Sequence, residues 1–174
     1  RIFLTVPPEL ASYVPRSIMG EVYSLTQEED NSLLKDAEEF ATCLNSTARH
    51  EQPVLGLEVA KGDRGVYYRA MLRLIRYHRR QIAQGLEYIE STGLSEGPRK
   101  YLQYFDATGV IKVTFVGTLS SMALGYQYSN PFRPIVGLVR SDGVAKISAR
   151  CSKLLFLRGL NMGLAIREAA KEEG

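Results

Sequence analysis

The chain has no tryptophan, only two cysteines and two histidines, and no apolar run approaching the roughly 20 residues that span a bilayer. Each shortage excludes a class of protein. Cys43 and Cys151 form no Cys-x-x-Cys, so neither a disulfide framework nor a zinc ribbon is signalled, and a reducing compartment fits. His50 and His78 are unaccompanied by a His-His pair or an Asp-x-Asp, so neither a catalytic residue nor a metal ligand can be named from the sequence. The segment Arg1 to Leu10 lacks a long apolar core followed by a small-residue cleavage site. A soluble, cytoplasmic protein without a membrane partner is therefore expected.

What is present is a globular balance: 174 residues, 45% hydrophobic and 24% charged, enough for one ordinary domain or two small ones. The net charge of +3 conceals an asymmetry. From Glu9 to Glu39 acids dominate, with Glu21, Glu28, Glu29, Asp30, Asp36 and Glu38 against Arg16 and Lys35. From Arg64 to Arg80 there are six arginines and no acid, and Arg140 to Arg158 carries five bases against Asp142. Positive segments of this kind suit a polyanion or an acidic protein surface.

Hydrophobic spacing orders the elements. The first thirty residues, with Pro7, Pro8 and Pro15, read as an irregular, partly helical connector. From Ser32, the recurrence of Leu33, Leu34, Ala37, Phe40, Ala41, Leu44 and Ala48 predicts a helix. Gln52 to Lys61, with Pro53 and Gly56, reads as a short strand or an irregular link. Val66, Ala70, Met71, Leu74, Ile75, His78, Ile82, Leu86 and Ile89 form one stripe of about six helical turns, bounded by Gly62 and Gly65 before it and by Gly93, Gly97 and Pro98 after it. A short helix from Arg99 to Asp106 is expected next, then a strand from Val110 to Val116 and a brief helix capped by Thr118 or Ser120 and running to Leu124. Asn130-Pro131 and Pro134 mark a loop.

The strands Ile135 to Val139 and Val144 to Ile147 flank Ser141-Asp142-Gly143, whose Asp-Gly supplies the positive φ of a tight hairpin. Asn161 is a plausible N-cap for a final helix with apolar Met162, Ala165, Ile166, Ala169 and Ala170, closed by Gly174. The fold class expected is α/β (α+β): a helical segment, 1–107, with one long amphipathic helix, followed by a small α/β domain, 108–174.

Three groups of residues carry candidate chemistry. Lys146, Ser148 and Arg150 alternate along a strand and share a face, which suits phosphate contact; a cross-strand ion pair at a sheet edge is the alternative. Arg69, Arg73, Arg76 and Arg80 follow helical spacings of four, three and four with Arg79 beside them. A solvated outer face is the plain reading; the mutual repulsion of like charges on adjacent turns argues against it and for a nucleic-acid track or a face for an acidic protein partner. Tyr126 and Tyr128 form a candidate stacking pair for bases. His78 falls on the apolar stripe and is expected to be packed and hydrogen-bonded, with His50 in a surface turn.

Two stretches carry a family resemblance. Ser148-Ala149-Arg150 followed by Asn161-Met162-Gly163 resembles the DHH-associated domain of DHH-family phosphoesterases, and Gly174 stands where that domain's glycine-rich loop with histidine would begin. Leu44-Asn45-Ser46-Thr47-Ala48-Arg49, Gln52-Pro53 and Lys61-Gly62-Asp63, with Val116 to Ala123, are similar to the corresponding segments of archaeal RecJ-like nucleases, the GINS-associated type. Ala48 replaces the usual glycine.

The resemblance implies a carboxyl-side fragment of a longer polypeptide, with its associated domain truncated. The parent would be a hydrolase: a single-strand exonuclease acting on DNA or RNA in replication or repair. Mn or Mg would lie in an upstream DHH domain, single-stranded nucleic acid would be a partner, and GINS or other replicative helicase components another. A non-catalytic interaction module of the helicase assembly, or a fragment of an oligoribonuclease or nucleotide phosphodiesterase, are the alternatives. The fragment alone is expected to hold nucleic acid without cleaving it.

Overall fold

A computed structural model describes Pro8 and residues 20–172; most of the expected connector and the Gly174 cap lie outside the described residues. The chain divides into two compact units, one ending at Arg80 and the other beginning at Gln81.

In the first unit, helix α1 spans Ala37–Arg49. It begins later than the apolar spacing from Ser32 predicts, because the Asp36 carboxylate accepts from the backbone N–H groups of Glu38 and Glu39 at 2.8 and 2.9 Å and fixes the start. Leu33 and Leu34 precede the helix, yet Leu34 is fully buried. The segment read as a strand or irregular link is a helix, α2, Pro53–Ala60. Pro53 stands in its first turn, where the fixed φ of proline favours a helix start.

Gly56 allows α2 to approach α1, since a Cβ there would lie 2.5 Å from Thr47 Oγ1. Helix α3, Val66–Thr92, has the length and bounds that its stripe predicts. Asp63 Oδ1 accepts from the N–H groups of Gly65 and Tyr68, each at 3.0 Å, and caps it. Leu34, Cys43, Val59, Met71 and Ile75 make the first unit's core. Val66 does not join the buried stripe: it is 68% exposed.

The second unit contains a mixed four-stranded sheet in the order β1-β2-β3-β4. β1 is Ser95–Glu96, β2 Gln103–Asp106, β3 Ile135–Ser141 and β4 Val144–Arg150. β2 and β3 run parallel, and the other neighbours run antiparallel. Helix α4, Val116–Ala123, lies in the crossover between the parallel strands, and α5, Lys153–Leu157, and α6, Met162–Glu172, follow β4. The class is α+β.

Two local expectations are corrected. Arg99 to Asp106 is a 3-10 turn and strand β2 rather than a helix. Arg99 and Lys100 adopt left-handed φ values of 56° and 59°, which a continuing α-helix does not accommodate, and the buried Gln103 and Phe105 then alternate with Tyr104 and Asp106. Residues 95–106 thus supply two strands of the sheet. Val110 to Val116 is a turn, a 3-10 helix at Val113–Phe115 and the start of α4 rather than a strand. Phe115 and Val116 are buried in the core, with Ile111 and Val113 packed against it, and Val110 is exposed; none of them pairs in the sheet. Thr118 and Ser120 lie inside α4, and no side chain caps its start.

The hairpin forms as its turn residues predict. Asp142 and Gly143 take φ values of 52° and 76°, and the register runs from Ser141 opposite Val144 to Ile135 opposite Arg150. Leu86, Ile89, Phe105, Phe115, Val116, Leu119, Ile135 and Val139 are central to this unit's core. Gly137 lets α4 lie against the sheet, since a Cβ there would meet Ser120 Oγ and come within 2.6 Å of Phe105 Cζ and 2.9 Å of Val116 Cγ2.

Candidate nucleic-acid interface

The hairpin register sets Lys146, Ser148 and Arg150 opposite Val139, Gly137 and Ile135. Cross-strand partners share a face, so the three polar residues stand on the side that packs under α4. Their surroundings differ along the strand. Lys146 is exposed near the hairpin end. Ser148 is only 8% exposed: its carbonyl accepts from Ser120 Oγ at 3.4 Å, and its hydroxyl lies 3.5 Å from the position of a Cβ on Gly117.

Arg150 is exposed, and its guanidinium is held at two points. Nε donates to Ser121 Oγ at 2.8 Å and Nη1 to the Ala149 carbonyl at 2.9 Å. Nη2 would stand 3.3 Å from a Cβ on Gly117, so the absence of a side chain there makes room for it. A guanidinium has five N–H donors, and these two bonds leave most of them for a ligand. Neither Lys146 nor Arg150 forms an ion pair among the described residues; the nearby Arg140 pairs with Asp106 at 2.9 Å.

Beside Arg150 is an open cleft of about 490 Å³, lined by Ile147, Ser148, Ala149, Arg150, Cys151, Met162, Gly163 and Ile166. Asn161 sets the far wall by accepting from the N–H of Leu164 at 3.0 Å, which caps α6 as its sequence predicts. The lining has one fixed cation, small polar groups and an apolar side made by Ile147, Met162 and Ile166. That combination sets a cation and hydrogen-bond donors beside an apolar surface. Met162 and Gly163 line the cleft and Gly117 and Ser121 adjoin Arg150, positions that the sequence did not assign to a candidate site. The available signal was the small residues Gly117 and Ser121 one turn apart on α4 and Gly163 at the start of α6.

The arginine row is in the first unit. Arg69, Arg73, Arg76 and Arg80 are all exposed and none forms an ion pair among the described residues, whereas Arg79, off the row, pairs with Glu39. Beside the row, Gln52, Ala70, Arg73, Leu74 and Tyr77 line a shallow pocket of about 300 Å³.

His78 is 6% exposed, and its Nδ1 lies 3.2 Å from His50 Nε2. Burial pushes its pKa down to about 4, helped by the positive charges of His50, Arg49 and Arg79. Tyr126 and Tyr128 stack on each other, with centroids 5.3 Å apart, so their facing surfaces are not open to a base. Burial raises the Tyr128 hydroxyl pKa. Cys43 is buried, with its thiol pKa raised by that burial, and Cys151 is half-buried. In the Leu44 to Arg49 stretch, Ser46 and Thr47 are buried and donate to the carbonyls of Cys43 and Leu44, each at 2.7 Å, so they serve the helix packing.

No group of three or more histidine, cysteine or acidic side chains among the described residues is placed to hold a metal ion. The described residues therefore offer no site that fits Mn or Mg. Among the described residues no helix is long and apolar enough to cross a membrane. Neither a family model nor a curated relative matches the chain.

Proposed function

We propose that this chain is the substrate-binding portion of a RecJ-like, metal-dependent exonuclease, and that it holds single-stranded DNA or RNA by its backbone in the cleft between β4 and α6. The observation that carries the reading is the Arg150 guanidinium, fixed by Ser121 and the Ala149 carbonyl, with donors remaining at the mouth of a partly apolar cleft. Phosphate contacts of this kind position a strand without reading its sequence.

Arg150 supplies charge and paired donors, and the Ser148 hydroxyl supplies a further donor at the cleft wall. Lys146 extends the positive track along β4. Gly163 keeps the α6 wall low enough for a sugar-phosphate chain, and Gly117 leaves room for the Arg150 guanidinium. Holding the strand here would present its end to metal-bearing residues supplied by another part of the polypeptide. Fluorescence anisotropy of a labelled oligothymidine, with wild-type chain and Arg150→Ala, tests the assignment: the substitution weakens binding with little change in base preference.

A further inference from the structure

We infer that the arginine row of α3 and the pocket beside it form a docking surface for an acidic amphipathic helix of a protein partner. This inference concerns the first unit and does not rest on the cleft reading.

Among the described residues the row has no carboxylate partner, whereas Lys35, Lys61, Arg64 and Arg79 of the same unit are each ion-paired. Glu28 pairs with Arg64, Glu39 with Arg79, Asp30 with Lys35 and Glu58 with Lys61. Asp36 and Asp63 are engaged as helix caps. Arg69, Arg73, Arg76 and Arg80 have no carboxylate within ion-pair distance among the described residues. Like charges three and four residues apart repel by a few tenths of a kcal/mol per pair, and carboxylates at the same spacing on a facing helix would reverse that sign.

Charge alone suits any polyanion, and the neighbouring pocket narrows the class. At 100° per residue, Val66, Ala70 and Tyr77 fall along one flank of the row. Val66 and Tyr77 are exposed, at 68% and 42%. Ala70, Leu74 and Tyr77 line the pocket with Gln52 and Arg73, so its walls are mostly apolar. A nucleic-acid backbone presents phosphates without an aliphatic stripe. A helix with glutamates or aspartates on one face and leucines on the next presents both, and an apolar anchor in a pocket rimmed by charge is the usual anatomy of such a contact.

The test uses the full chain and a synthetic fluorescein-labelled helical peptide. The peptide has glutamates at positions i, i+4, i+7 and i+11 and a leucine flank; controls are a scrambled peptide of the same composition and a labelled oligothymidine. Saturable binding of the patterned peptide is expected, at least tenfold tighter than the scrambled one. Replacing Arg69, Arg73, Arg76 and Arg80 with glutamine is expected to weaken it at least tenfold and to leave oligothymidine affinity within twofold. These substitutions are on the exposed face, and circular dichroism checks the fold. Ala70→Glu in the pocket gives a second variant that retains the arginines and should also lose the peptide. Equal binding of patterned and scrambled peptides, or a loss of oligothymidine affinity in the glutamine variant without loss of peptide, would overturn the inference.

Discussion

Arg150 Nε donates to Ser121 Oγ across 2.8 Å, tying the end of β4 to the exposed side of α4. Ser121 in turn donates to the Gly117 carbonyl one helical turn earlier, at 3.1 Å, so its oxygen is oriented before the arginine arrives. The guanidinium is therefore aimed rather than free to sweep. Ser121→Ala removes one aiming bond and leaves the charge, and single-strand binding should weaken by about 1 kcal/mol, roughly fivefold. Arg150→Lys keeps the charge but loses the planar fork, and its affinity should fall between those of wild type and Arg150→Ala. Anisotropy titrations at one salt concentration rank the three variants.

Gly137 tests the packing that places α4 over the strand. A methyl group there has nowhere to go, because Phe105 and Val116 close the space at 2.6 and 2.9 Å and Ser120 stands over it. Gly137→Ala should cost about 1–3 kcal/mol by overpacking. In urea the midpoint of the second unit's transition should fall while the slope stays constant. An unchanged midpoint would mean that α4 does not press on β3 as described.

His78 makes the first unit sensitive to mild acid. Its folded pKa, pushed down to about 4 by burial and neighbouring positive charge, lies below its ordinary value of 6.5. Between those values the unfolded chain takes up a proton that the folded chain refuses. Stability is therefore fully present above pH 6.5, declines as the pH falls toward 4, and loses nothing further from this group below that. The loss is up to about 3 kcal/mol. Urea midpoints of wild type and His78→Gln measured from pH 7.5 to 4 should converge as the pH drops, since glutamine has no proton to gain.

How far the sequence predicted these features depended on whether the signal was local. Asp142-Gly143 set the hairpin, the Val66 to Ile89 periodicity set α3, and Asn161 set the start of α6, because each depends on backbone preferences within a few residues. Gln103 to Asp106 and Val110 to Val116 exchanged roles because the first run, with Gln103 and Asp106 at its ends, is too short and mixed to show a strand pattern while the β-branched residues of the second imitate one, and only the tertiary pairing of β2 with β3 decides which becomes a strand. The strand face of Lys146, Ser148 and Arg150 followed from alternation. That α4 would cover it, bury Ser148 and fix Arg150 through Ser121 depends on contacts about thirty residues apart, which no local pattern carries.

The most direct measurement is the salt dependence of oligothymidine binding by wild type and Arg150→Ala, followed by anisotropy across a series of salt concentrations. For three to five phosphate contacts, the slope of log affinity against log salt should be roughly −2 to −4, at about −0.7 per contact for single strands. Arg150→Ala should weaken binding and make the slope shallower by about 0.7, the loss of one phosphate contact. The same affinity and slope for both proteins would contradict the assignment of Arg150 and its cleft as the strand-holding site.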